Sequence, residues 1–198
     1  MPVIGLLGAP GSGKSHLARL WKQMGAAVID ADAIAREALD RPDVRGTLAA
    51  WWGPEILAAD GQVDRAAVAA KVFADPTELA RLESLVHPRV NARRAELRAL
   101  YRADPAVVAV VEDCPLLLEH QLEGDCDVLV YVNSSRAARL HRVAESRGWD
   151  EAELARREKN QLPLDIKQSR ADYTFVGDAD ASTLQDQARE LLHRVISN

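Results

Sequence analysis

Residues 5–20 read GLLGAPGSGKSHLARL. An apolar run, a cluster of glycines, a lysine–serine pair and a helical pattern follow in that order, and the order decides the fold. Residues 3–7 (VIGLL) read as a buried strand and residues 14–24 (KSHLARLWKQM) as an amphipathic helix. Between them, Gly8 to Ser15 spells G-x-x-x-x-G-K-S, the pattern of a loop that cradles phosphates between a strand and a helix. Gly8, Gly11 and Gly13 remove side chains where backbone N–H groups must approach phosphate oxygens. The helix opening near Lys14 adds its first-turn donors and its dipole at the same point. Lys14 places one positive charge on the β- and γ-phosphates, and the Ser15 hydroxyl suits Mg²⁺. The N-K-x-D element by which GTPases read guanine does not occur, so ATP is the expected nucleotide.

Outward from the loop, apolar runs alternate with helical patterns. Residues 26–30, 106–112, 127–133 and 172–177 read as further strands, and 33–39, 135–148, 150–162 and 181–196 as helices. Short strands apolar on both faces and separated by helices imply a parallel sheet covered on both sides. The stretch 41–102 is helical, with breaks expected at Gly53–Pro54, Asp60–Gly61, Asp75–Pro76 and His87–Pro88. It is too long for a connection and predicts a subdomain beside the sheet.

The bulk composition agrees with an ordinary globular domain. The chain has 198 residues, 47% hydrophobic and 28% charged, with a net charge of −5. An acidic balance argues against nonspecific nucleic-acid binding, which must neutralise phosphates. Cys114 and Cys126 form no C-x-x-C pair and read as small buried hydrophobes. The N-terminal apolar run is short for a signal peptide and lacks a basic flank. No run approaches the ~18 apolar residues of a membrane span. The expectation is a cytoplasmic enzyme with small-molecule substrates, acting as a monomer or weak homo-oligomer.

Candidate acids lie at strand ends. In VIDADAIAREAL, Asp30 and Asp32 close a strand and open a helix, where open α/β sheets bind ligands. Either can serve as a helix N-cap. As a pair, one can help position hydrated Mg²⁺ while the other accepts a proton from an attacking hydroxyl. Asp32 is the candidate base. Asp113, in VVEDCPLLLE, is a third strand-end acid, suited to a metal-orienting or substrate role or to capping.

Taken in order, IGLLGAPGSGKS, GAAVIDADAIARE, DGQVDRAAVAAKVFADPTELARLESLVHPRV, EDCPLLLEHQLEGDCDVLVYV, RLHRVAESRG and NQLPLDIKQSRADY resemble the dephospho-coenzyme A kinase family. The likeness covers nearly the whole chain. It implies a P-loop NTPase-type three-layer α/β/α fold with a five-stranded parallel sheet. It further implies a core at about 1–40, 103–134 and 171–198, a helical CoA-binding insert at about 41–102, and a helical lid at about 135–170. The implied reaction transfers the γ-phosphoryl group of ATP to the ribose 3′-hydroxyl of dephospho-CoA. By the same resemblance Asp32 is the base, and Gly11, Ser12, Gly13, Lys14, Ser15 and His16 form the ATP-contacting run. His87, Pro88 and Asp113 fall on the substrate side, and Arg142, Lys167 and Arg170 in lid motifs, with Lys167 assigned to substrate and both arginines to nucleotide.

The chain departs from the family pattern at several places. Leu7, Ala9, Pro10 and His16 stand at loop positions where the family has other residues, and Asn91 stands where an arginine is usual. Two other readings use the same residues: a kinase of the same fold with another small hydroxylated acceptor, and a nucleotide-sensing module that transfers nothing.

Overall fold

Every residue of β1 (Val3–Leu7) is buried, as an apolar run without alternation requires of a strand covered on both faces. It lies at the centre of a five-stranded sheet of order β2-β3-β1-β4-β5, with β2 at Ala27–Asp30, β3 at Val110–Asp113, β4 at Val128–Asn133 and β5 at Tyr173–Val176. All four pairings are parallel, with Gly5 opposite Glu112 on one side and Leu129 on the other. This computed structural model describes residues 1–197. The arrangement is the three-layer α/β fold expected from the alternating pattern.

The chain divides into two compact units, one of Met1–Asp30 together with the chain from Arg98 onward, the other of Ala31–Leu97. In the first, α1 (Lys14–Gln23) and α9 (Ala181–Ser197) lay one apolar stripe each against the sheet. Leu17, Ala18 and Trp21 share a core with Ile4, Leu6, Val130, Ala188 and Leu192. Trp21 is fully buried, and its indole N–H donates to the Ala188 carbonyl at 2.8 Å, so no polar atom is stranded. After β4 come α6 (Arg136–Arg147), α7 (Glu151–Lys159) and α8 (Leu164–Ser169).

The second unit contains α2 (Ala31–Leu39), α3 (Pro42–Trp52), a 3-10 turn at Pro54–Ile56, α4 (Arg65–Ala74) and most of α5 (Pro76–Ala103). Val44, Leu48, Trp52, Ile56, Val63 and Val68 form its own core. Asp64 caps α4 by accepting from the Ala66 and Ala67 N–H groups.

The helix break expected at His87–Pro88 does not occur: α5 runs through Pro88 without interruption. A proline inside a helix costs about 3 kcal/mol. Val86, Val90 and Arg94, spaced by four, bury one stripe across the proline, and that packing outweighs the cost. Among the described residues no helix is long and apolar enough to cross a membrane.

Candidate active site

The glycine loop leaves the carboxyl end of β1 and enters α1 through Gly13, which adopts φ 102°. Gly11 has φ 76°, and a Cβ there would lie 2.8 Å from both the Arg139 carbonyl oxygen and Val143 Cγ1. The loop therefore touches the backbone of α6, and only glycine fits. Lys14 is buried and folds back over the loop, its Nζ donating to the Gly8 carbonyl at 2.8 Å and the Ala9 carbonyl at 3.0 Å. Ser12 is buried with its hydroxyl oxygen lacking a hydrogen-bond partner. Ser15 and His16 are exposed on the first turn of α1. Burial, Arg19 and Arg142 lower the His16 pKa below its ordinary 6.5, so the ring is neutral at pH 7.

Arg142 reaches the loop from α6. Its Nη1 donates to the Gly11 carbonyl (3.2 Å), the Ser12 carbonyl (3.3 Å) and Ser134 Oγ (3.0 Å). Its Nη2 donates to the Gly177 carbonyl and pairs with Asp178 Oδ1 at 3.2 Å. Ser134 Oγ in turn donates to the Ser12 carbonyl at 2.8 Å. Burial acts to raise the Asp178 carboxyl, but hydrogen bonds from Ser135 and Ser134 and the Arg142 charge outweigh it and hold the group below its usual range. Arg139, also buried, pairs with Glu158 of α7 and donates to the Ser134 carbonyl.

The acids sit as strand geometry dictates. Asp30 and Asp113 are register partners at the carboxyl ends of β2 and β3. Asp113 is buried and Asp30 exposed. Asp32 lies exposed in the first turn of α2, which starts at Ala31. Asp32 and half-buried His87 belong to the second unit, while Gly8, the 11–16 run, Asp113, Arg142, Lys167 and Arg170 belong to the first.

Lys167 is only 1% exposed, with Nζ 2.9 Å from Glu119 Oε1 and 2.9 Å from Gln161 Oε1. The same Glu119 oxygen accepts the Leu162 N–H at 2.8 Å. This buried ion pair fastens the 161–167 stretch to the segment after β3. Arg170, the C-cap of α8, is exposed.

The dephospho-CoA kinase (CoaE) family model matches residues 2–183. The chain belongs to the dephospho-CoA kinase family. A dephospho-CoA kinase of Thermobifida fusca is 40% identical over 170 residues, covering 85% of this chain and 84% of that protein. One of Mycolicibacterium paratuberculosis is 39% identical over 190 residues, covering 95% of this chain. The chain spans only 46% of that longer relative. A crystal structure from Thermus thermophilus superposes with a TM-score of 0.83 at 31% identity, covering 98% of this chain and 97% of the other.

Against the dephospho-CoA kinase pattern, the departure at Asn91 has a local role: its side-chain oxygen accepts from Arg94 Nη1 at 3.3 Å. The neighbouring cations Arg89 and Arg93 are tied to Asp43 (2.9 Å) and Glu96 (3.1 Å). Sequence reasoning passed over Ser134, Arg139 and Asp178 as site residues. A signal for two of them was available, since Ser134 directly follows β4 and Asp178 lies two residues past the end of β5, at the sheet edge that carries the phosphate loop.

Proposed function

We propose that this chain transfers the γ-phosphoryl group of ATP to the ribose 3′-hydroxyl of dephospho-CoA, giving CoA and ADP, the last step of CoA synthesis. The observation that carries this reading is the Gly8–Ser15 loop opening α1, within a match to the dephospho-CoA kinase family spanning residues 2–183. Phosphoryl transfer needs alignment and charge neutralisation more than covalent help. Gly8, Gly11, Ser12, Gly13 and the first turn of α1 bind the phosphates through backbone N–H groups. Lys14 exchanges its loop carbonyls for phosphate oxygens. His16, neutral at pH 7, offers a ring N–H at the same helix start.

Asp32 accepts the proton of the 3′-hydroxyl as that oxygen attacks the γ-phosphorus; the bond to the β–γ bridging oxygen breaks and ADP leaves. His87 and Asp113 hold the acceptor. Lys167, bound to Glu119, fixes the segment that carries Arg170 toward the nucleotide. Arg142 serves the nucleotide end. The oxygen donors present suit a hard cation: the exposed Ser15 hydroxyl beside Lys14, and the paired strand-end carboxylates of Asp30 and Asp113. Ser15 would hold Mg²⁺ and the carboxylates would orient its waters. When bound, the ion neutralises charge on the β- and γ-phosphates.

A coupled ADP-release assay with dephospho-CoA tests the reading, with mass analysis showing a product one phosphate heavier. No ADP release above the acceptor-free rate overturns it.

A further inference from the structure

We infer that Arg142 is a positioning residue that works through the outer face of the phosphate loop, orienting the loop's peptides without itself holding a phosphate. The inference rests on the nucleotide-binding role proposed above. A trans peptide is planar, so its carbonyl and the following N–H point in opposite directions. Fixing the Ser12 carbonyl therefore fixes the Gly13 N–H. That carbonyl accepts from both Ser134 Oγ (2.8 Å) and Arg142 Nη1 (3.3 Å), and the preceding carbonyl, of Gly11, accepts from the same Nη1 (3.2 Å). Both peptides turn their oxygens to Arg142 on α6, and the Ser12 N–H of the earlier one donates within the loop to the Ala9 carbonyl at 3.2 Å.

The charge of Arg142 is directed elsewhere. Nη2 bonds the Gly177 carbonyl and pairs with Asp178 at 3.2 Å. The Asp178 carboxylate also accepts the Ser135 N–H, which joins the start of α6 to the turn after β5. One guanidinium thus links three segments at the sheet's carboxyl edge: the loop after β1, the turn after β4 and the turn after β5. A planar fork with five fixed donors can do this, and a lysine of equal charge cannot. The role also explains why Gly11 must be glycine, since the loop has to lie on α6 for the arginine to reach its carbonyls.

The test compares Arg142→Ala, Arg142→Lys, Ser134→Ala and the double variant Arg142→Ala/Ser134→Ala. Mg-ATP dissociation constants are measured calorimetrically and KM for dephospho-CoA from turnover. Both Arg142 variants are expected to weaken ATP binding about tenfold and by similar factors, with KM for dephospho-CoA within about twofold of the parent chain. Ser134→Ala is expected to weaken ATP about threefold, and the double variant less than the product of the singles, because both groups act on one carbonyl. Lysine restoring parental affinity would show that Arg142 acts as a charge on the nucleotide and would overturn the inference. Full additivity, or unchanged ATP affinity in Arg142→Ala, overturns it equally. If Arg142→Ala fails to fold, Arg142→Lys combined with Ser134→Ala carries the same comparison. A parent chain that binds no ATP refutes the functional reading itself, a result distinct from all of these.

Discussion

Replacing Gly11 by alanine tests the close contact between the phosphate loop and α6. The added Cβ would lie 2.8 Å from the Arg139 carbonyl oxygen and 2.8 Å from Val143 Cγ1, with the backbone at φ +76°. A left-handed conformation costs a non-glycine residue about 1–2 kcal/mol. Overpacking against backbone adds about 1–3 kcal/mol, because α6 is held in place by the Arg139–Glu158 pair and cannot simply recede. The total is about 2–5 kcal/mol. Gly148, at the C-terminal end of the same helix, supplies the control: it has φ +66° and nothing within 4 Å of its virtual Cβ. Gly148→Ala therefore carries the conformational cost alone. For a chain of this size each kcal/mol moves the melting temperature by about 2–4 °C. Thermal unfolding followed by circular dichroism is expected to place Gly11→Ala about 2–12 °C below Gly148→Ala. ATP affinity should fall in the first variant and hold in the second. Equal melting temperatures would refute the steric contact on which the reasoning depends.

Other outcomes follow from the same geometry. Lys167→Met leaves the Glu119 carboxylate buried without its cation and should cost about 3–5 kcal/mol in urea unfolding, while Glu119→Leu/Lys167→Met should recover most of the loss. Because His16 has a lowered pKa when folded, the unfolded chain binds more protons as pH drops below 6.5. Its contribution to stability is therefore present above that pH and is lost as pH falls through the folded value, and His16→Gln should flatten the slope of unfolding free energy between about pH 5 and 7. Asp32→Asn should keep ATP affinity within a few-fold and lower turnover by roughly 10²–10⁴, measured as ADP release with saturating dephospho-CoA. Near-parental turnover removes Asp32 from the role of base.

The sheet was legible because its strands are short apolar runs closed by polar residues or glycines, and each of the five runs read from the sequence overlaps an observed strand. β3 begins at Val110, later than the run at 106–112 indicates, because Asp104 organises a turn by accepting the Ala106 and Val107 N–H groups. The loop from Gly8 to Ser15 was legible for a different reason: its glycines answer a local backbone demand that few other situations make. Pro88 misled because local propensity carries no information about the stripe that α5 buries. The burial of Lys167 was hidden too. Its partner Glu119 lies 48 positions earlier, and no spacing rule connects a helix near the chain's end to a turn after β3. Arg142 stood out as a basic residue in a lid motif, but nothing in its neighbours predicted three carbonyl partners.

Lys14 keeps its ammonium on the carbonyls of Gly8 and Ala9, the loop's own backbone. Those carbonyls take the place of water around a buried charge, so the turn that carries the cation also solvates it. Truncating this side chain removes an internal strut of the loop. Lys14→Ala should accordingly lower the melting temperature of the chain without any ligand added, measured by thermal unfolding.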